Sequence, residues 1–190
     1  MPFSNVNILD FLDDFGKVPL DFLLRSFSCP LNLEIEDFLR SKALDFALQK
    51  ISMTYLVFNE NNQLLGYYTL THKSILIPCV NLSKTSQKKI GRFSNLEQEA
   101  QSYQSSAFLI AQLGKNMSIA EGKTIKGSEL LQCSFDVLKK VQRLIGGGIV
   151  FLECEDTPKL INFYQQNKFK EYNMRIASNG VVYHQLLALL

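Results

Sequence analysis

The sequence predicts an α/β fold with a mixed sheet, and three observations predict it. Stretches with strand character and stretches with helical spacing alternate along the chain instead of segregating. Two short apolar runs, AFLIAQL (107–113) and IVFLEC (149–154), read as buried strands, the first of them central. Residues 53–58 and 64–77, both rich in β-formers, flank the turn Asn59-Glu60-Asn61-Asn62, which signals a hairpin with a turn longer than two residues. At 190 residues and 21.6 kDa the chain suits one compact domain, residues 1–190, large enough to bury a core.

The elements follow in order. Residues 32–51 read as a helix: Asn32 is an N-cap, Glu34, Glu36 and Asp37 favour the positive end of the dipole, and Ile35, Phe38, Leu39, Ala43, Phe46 and Ala47 recur at helical spacing. The hairpin comes next. Residues 78–106 are polar and read as a surface excursion carrying one helix. The strand at 107–113 leads into a loop, 114–127, that holds glycines and lysines. Residues 128–145 then form a helix with Leu130, Leu131, Phe135, Leu138, Val141 and Ile145 on its apolar side, stopped by Gly146-Gly147-Gly148. After the strand at 149–154, Thr157 caps a helix with Pro158 at its first position, ending near Asn167. Two terminal strands are expected near 169–172 and 181–187.

Composition narrows the function. Apolar residues make up 46% and charged residues 20%, so disorder and fibrous structure are poor readings. A formal charge of +2 is low for a protein that holds nucleic acid by overall charge, which leaves a local patch as the route to RNA. Cys29, Cys79, Cys133 and Cys154 form no CxxC pair and the only histidines are His72 and His184, so no metal site is expected. Free thiols without a signal-peptide pattern fit a reducing cytoplasm. No uncharged apolar run approaches the roughly 18 residues of a membrane span.

Two stretches read together, residues 107–132 (AFLIAQLGKNMSIAEGKTIKGSELLQ) and 149–169 (IVFLECEDTPKLINFYQQNKF), resemble the GNAT family of acetyl-CoA-dependent N-acetyltransferases. The resemblance implies a mostly antiparallel mixed sheet flanked by helices, with splayed central strands that hold the pantetheine arm. It implies that the loop and following helix start cradle the pyrophosphate, and that an F-Y-x-x-x-x-F segment closes the site. Phe163, Tyr164 and Phe169 reproduce that segment, with Lys168 where the family usually has Gly. Residues 27–48, 63–70 (QLLGYYTL) and 113–115 (LGK) are similar to a branch that includes toxins of toxin–antitoxin pairs, which acetylate aminoacyl-tRNA. The phosphate loop departs from the family pattern: Gly127 is kept, Ile125 stands for the first family Gly, and Gly122 stands for the leading Gln or Arg. Ile disfavours positive φ, so a reshaped loop is expected, with Lys123 or Lys126 supplying the cationic contact.

On this resemblance, the backbone amides of Ile125, Lys126, Gly127 and Ser128 would bind the pyrophosphate at a helix N-terminus. The amide of Asn116 or Met117 would polarise the thioester carbonyl, and Tyr164 would act as general acid toward sulfur. Asn162 is read as a pantetheine or ribose contact, or as an exposed helix residue. Glu153 and Glu155 are read as a base or as solvated strand-end acids, and His72 as a base or a surface histidine. Cys154 is expected to face the core. Lys84, Lys88, Lys89 and Arg92 would contact RNA phosphates or form a solvated helix face. The implied activity is acetyl transfer from acetyl-CoA to a primary amine in a ternary complex, possible acceptors being aminoacyl-tRNA, a protein amine or a small amine. The implied partners are an antitoxin and a second copy of the chain. The rival expectations are a GNAT-fold binding or regulatory module without catalysis, and a CoA-independent interaction protein using residues 78–106.

Overall fold

The computed structural model describes residues 3–120 and 124–190. The elements are β1 (Ser4–Asn7), α1 (Ile8–Phe15), α2 (Lys17–Ser26), α3 (Leu33–Asp37), a π turn (Phe38–Lys42), α4 (Ala43–Leu48), β2 (Met53–Phe58), β3 (Leu64–Pro78), α5 (Lys84–Ile90), β4 (Asn95–Glu97), β5 (Ser102–Lys115), α6 (Gly127–Ile145), β6 (Ile149–Glu155), α7 (Pro158–Gln166), β7 (Lys170–Ile176) and β8 (Val182–Leu189). The strands form one sheet in the order β1-β2-β3-β5-β6-β8-β7, with β4 paired to β5. The β5–β6 pair is parallel; β1–β2, β2–β3, β4–β5, β6–β8 and β7–β8 are antiparallel. The mixed, mostly antiparallel sheet flanked by helices is the one the sequence predicts. The chain divides into two compact units, Met1–Thr71 with Ile110–Val137, and His72–Leu109 with Leu138–Leu190.

The first unit is built on an apolar cluster that includes Ile8, Leu20, Leu24, Phe27, Leu39, Leu56 and Tyr67. Sequence reading had not predicted β1, α1 or α2. In α1, Asn7 Oδ1 accepts from the Leu9 amide and caps the helix, while Ile8, Leu9, Phe11 and Leu12 pack on the cluster. Gly16, at φ +83, separates α1 from α2 in a left-handed conformation that favours glycine. Asn32 caps α3 as expected, accepting from the Ile35 amide at 3.1 Å. The predicted single helix is interrupted at the π turn, where the Ser41 hydroxyl donates to the Asp37 carbonyl at 2.6 Å.

Two glycines from the quoted motifs explain themselves here. A Cβ on Gly66 would lie 2.7 Å from the Gly114 carbonyl oxygen. A Cβ on Gly114 would collide with Ile35, Tyr67 and Phe27. The backbones of β3 and β5 approach too closely for any side chain between them.

The second unit packs Ile75, Ile77, Ile90, Ala107, Ile149, Phe151, Tyr172 and Leu187 together. Residues 78–106 are tied down more firmly than a surface excursion suggests: Ile90 is buried, and Asn81 Nδ2 donates to the Tyr172 carbonyl at 2.8 Å. Gly146 and Gly147 have φ of +77 and +92, the left-handed stop the triple glycine predicts. The parallel ladder registers Phe108 with Val150 and Leu109 with Phe151, while β6 continues beyond it, paired with β8, to Glu155.

Candidate functional site

In the first unit the candidate groups gather at the start of α6. Gly127 is the first helical residue and Lys126 precedes it, its carbonyl accepting from the amides of Glu129 and Leu130 at 3.1 and 3.0 Å. The Glu129 carboxylate reaches back to the Lys126 amide at 2.8 Å, half of a capping box. Lysine has no side-chain acceptor to complete the box, so helix geometry leaves the amides of Gly127 and Ser128 without an intrahelical partner. Ser128 and the Lys126 side chain face solvent. Ile125 is fully buried and is not among the residues with positive φ, so it packs inward and turns no amide to solvent. Lys123 lies outside the described residues.

Asn116 and Met117 are also committed. The Asn116 amide donates to the Leu65 carbonyl at 2.8 Å and the Met117 amide to the Ser28 carbonyl at 2.7 Å. Asn116 Nδ2 donates to the Leu64 carbonyl at 2.8 Å, and Asn116 Oδ1 accepts from the amides of Ser28 and Ser118 and the Ser118 hydroxyl. A buried asparagine with this many bonds is a structural hub. Neither amide is free to meet a thioester carbonyl in this arrangement.

A cavity of about 300 Å³ opens beside the same helix, lined by Phe3, Asn5, Ser128, Glu129, Gln132, Cys133 and Asp136. Its charged residues are acidic, the wrong sign for a diphosphate.

In the second unit the candidates gather on α7 and the strands beneath it. Pro158 opens the helix as predicted, but the Thr157 side chain makes no capping bond. Tyr164 stacks edge-on between Phe163, at 5.0 Å between ring centroids, and Phe169, at 5.8 Å. Lys168 adopts φ +72 and closes the helix, with the Phe169 amide donating to the Tyr164 carbonyl at 3.1 Å. That geometry accounts for glycine in the family at this position. Burial, and then the nearby Cys154 thiol, push the Tyr164 phenol above its ordinary pKa, so it holds its proton at neutral pH.

Cys154 is buried, and burial together with Glu171, Asp156 and Glu155 pushes its thiol up to about 11. It is a neutral thiol and no nucleophile. Burial raises the Glu153 carboxyl, but bonds from Arg175 and Gln185, with Lys73 nearby, outweigh it and hold Glu153 ionised. The Arg175 guanidinium donates to Glu153 Oε2 at 2.6 and 2.8 Å and lies 4.7 Å from the centre of the Tyr183 ring. Glu153 is thus half of an ion pair. Glu155 and His72 are exposed. Asn162 is exposed and accepts a long bond, 3.4 Å, from Gln166. Lys84, Lys88, Lys89 and Arg92 are all exposed on and just after α5, and none has an ion-pair partner among the described residues.

The residue that sequence reading missed is His184. Its Nε2 lies 3.2 Å from Asp156 Oδ1 and its Nδ1 lies 3.0 Å from Glu171 Oε2; the second contact is close without being an aligned hydrogen bond, and it is an ion pair when the ring is protonated. These partners are spread over residues 156–184 and belong to no local pattern, so only the β6–β8 and β7–β8 registers reveal them.

No protein-family model matches the chain, and no curated protein matches it in sequence. Solved structures do match in shape. AtaT complexed with acetyl-methionyl-tRNAfMet has 19% identity and a TM-score of 0.66, over 96% of this chain and 94% of that one. A mutant of KacT has 19% identity and a TM-score of 0.67, over 100% and 95%. AtaTR bound with AcCoA has 16% identity and a TM-score of 0.60, over 98% and 92%. The chain therefore has the GNAT fold that its sequence resembles.

Proposed function

We propose that the 190 residues act as one N-acetyltransferase domain that moves acetyl from acetyl-CoA to a primary amine by direct transfer. The observation that carries this reading is Tyr164, set between two rings near the start of an F-Y-x-x-x-x-F segment and kept protonated by burial. The neutral amine attacks the thioester carbonyl, the C–S bond breaks with its electron pair going to sulfur, and Tyr164 passes its phenolic proton to that sulfur. The amine's surplus proton goes to solvent, from which Tyr164 recovers its own. An α-amino group has a pKa near 8, about two units below lysine, so such an acceptor needs no strong base. This suits a protein whose acids near α7 are engaged in ion pairs or exposed.

The residues at the start of α6 fit a diphosphate. The amides of Gly127 and Ser128 point out of the helix with the positive dipole end, and Lys126 adds charge. Aminoacyl-tRNA is the acceptor we favour, supported by the likeness to AtaT complexed with acetyl-methionyl-tRNAfMet and by the unpaired cations of α5. The likeness to AtaTR supports an antitoxin partner, and the reduced thiols support a cytoplasmic setting. A second reading, a binding module without turnover, is favoured by one observation: Glu129 already occupies the Lys126 amide.

Calorimetry with acetyl-CoA, followed by thiol release in the presence of aminoacyl-tRNA, tests both. Micromolar binding that Gly127→Glu abolishes, with thiol release on adding acceptor, is the expected result. Binding without turnover on any amine would favour the module. No binding at millimolar acetyl-CoA would overturn the transferase.

A further inference from the structure

His184 sits at a place that none of the assigned roles uses. It lies in β8 directly opposite Cys154 of β6 and Met174 of β7. Cross-strand partners share a face, so His184 and Cys154 lie on one side of the sheet. α7 packs against β6 and β7, the strands that carry Cys154 and Glu171. The imidazole is only 12% exposed.

What it touches is informative. Asp156 stands two residues before α7, and Glu171 stands five residues after its end. Both are acceptors only, so the ring holds both contacts fully when it carries a hydrogen on each nitrogen. The helix between them lacks a side-chain cap at Thr157. Its start is held by the Asp156 amide donating to the Val182 carbonyl at 3.2 Å and by the Asp156–His184 contact.

We propose that His184 is a positioning residue for Tyr164: its imidazole, held at one nitrogen by Asp156 before α7 and at the other by Glu171 after it, pins both ends of the segment that carries the phenol to β8. The catalytic half of this proposal rests on the reading of Tyr164 as proton donor; the mechanical half does not. Closing the 156–171 segment on a strand fixes where Tyr164 stands without His184 touching substrate.

Two measurements on the full chain test it, and they fail separately. The first is hydrogen exchange of the α7 amides, which needs no activity. In His184→Ala, exchange over residues 158–166 is expected to rise about tenfold or more while β6 keeps its protection. In Asp156→Asn with Glu171→Gln, which keeps the imidazole and weakens both contacts, the rise is expected in the same helix but smaller. The second is a double-mutant cycle in turnover. His184→Ala is expected to lower kcat about tenfold with KM for acetyl-CoA little changed, and to cost almost nothing further in a Tyr164→Phe background.

Unchanged α7 exchange in a folded His184→Ala, or in the carboxylate pair variant should the alanine variant not fold, overturns the proposal. So does full additivity with Tyr164→Phe, which would mean that His184 acts elsewhere. If Tyr164→Phe leaves turnover intact while α7 exchange still rises, the pin is real and it is the proton-donor assignment that fails.

Discussion

The starts of α6 and α7 solve the same problem in opposite ways. Each helix must satisfy amides that its own carbonyls cannot reach. α6 begins with a lysine and takes back one donor with its own Glu129, leaving the amides of Gly127 and Ser128 to whatever anion arrives. α7 begins on Pro158, which has no amide to satisfy, and it is held from outside by Asp156 on His184. The first end is receptive and partly blocked by its own carboxylate. The second is fixed and carries a protonated phenol. The difference teaches that a helix start left open and one held in place are distinguished by what lies off the helix, not by helical propensity.

The sharpest way to break this contrast is Tyr164→Phe. If α7 is the helix that positions, removing the phenol should lower kcat about a hundredfold, on the order of 2.7 kcal/mol in the barrier, with acetyl-CoA affinity unchanged by calorimetry. A variant with full turnover would reduce α7 to packing.

Glu129→Gln tests the receptive end. Removing the carboxylate that competes for the dipole should tighten acetyl-CoA about threefold to fivefold, while costing the helix roughly 0.3–1 kcal/mol. Weaker binding in the variant would mean that Glu129 orders the site instead of blocking it.

Lys168→Gly sharpens the account of the far end of α7. Lysine at φ +72 is strained, and glycine relieves that strain at some cost in chain entropy. A net gain of about 0.5–1 kcal/mol is expected in urea denaturation.

The smallest expected effect is on pH. The close contact with Glu171 leads, burial opposes it, and Asp156 adds, so the folded His184 pKa is raised. A group raised on folding stabilises fully below its unfolded pKa, near 6.5, and loses that contribution as pH rises through the higher folded value. Wild type should therefore lose slightly more stability than His184→Gln between pH 6 and pH 8, read as the difference in urea midpoints.

The sequence made much of this legible, for identifiable reasons. The hairpin of β2 and β3 was marked by β-branched and aromatic residues around Asn59–Asn62, and α7 by the Thr157-Pro158 pair. These signals are local, and local signals survive without knowledge of the fold. β1, α1 and α2 were not foreseen, because short elements owe their stability to the cluster around Leu20, Leu24 and Phe27 more than to their own pattern. At the candidate site, Tyr164 was legible only through the resemblance of Phe163, Tyr164 and Phe169 to the F-Y-x-x-x-x-F segment. The resemblance offered the amide of Asn116 or Met117 to a thioester, and sequence could not show that folding commits these amides to the Leu65 and Ser28 carbonyls. His184 was invisible because its two partners, Asp156 and Glu171, come from separate stretches of chain far from it in sequence.

One consequence of the tight crossing at Gly66 and Gly114 concerns how this protein would look to a genetic screen. Neither glycine has a side chain to offer chemistry, yet a methyl group on Gly66 would press on the Gly114 carbonyl and Leu130, and one on Gly114 would press on Ile35, Tyr67 and Phe27. Scored by growth or product alone, both positions would rank with Tyr164, the proposed proton donor. Only a parallel readout of how much folded protein remains would sort the architects from the chemists.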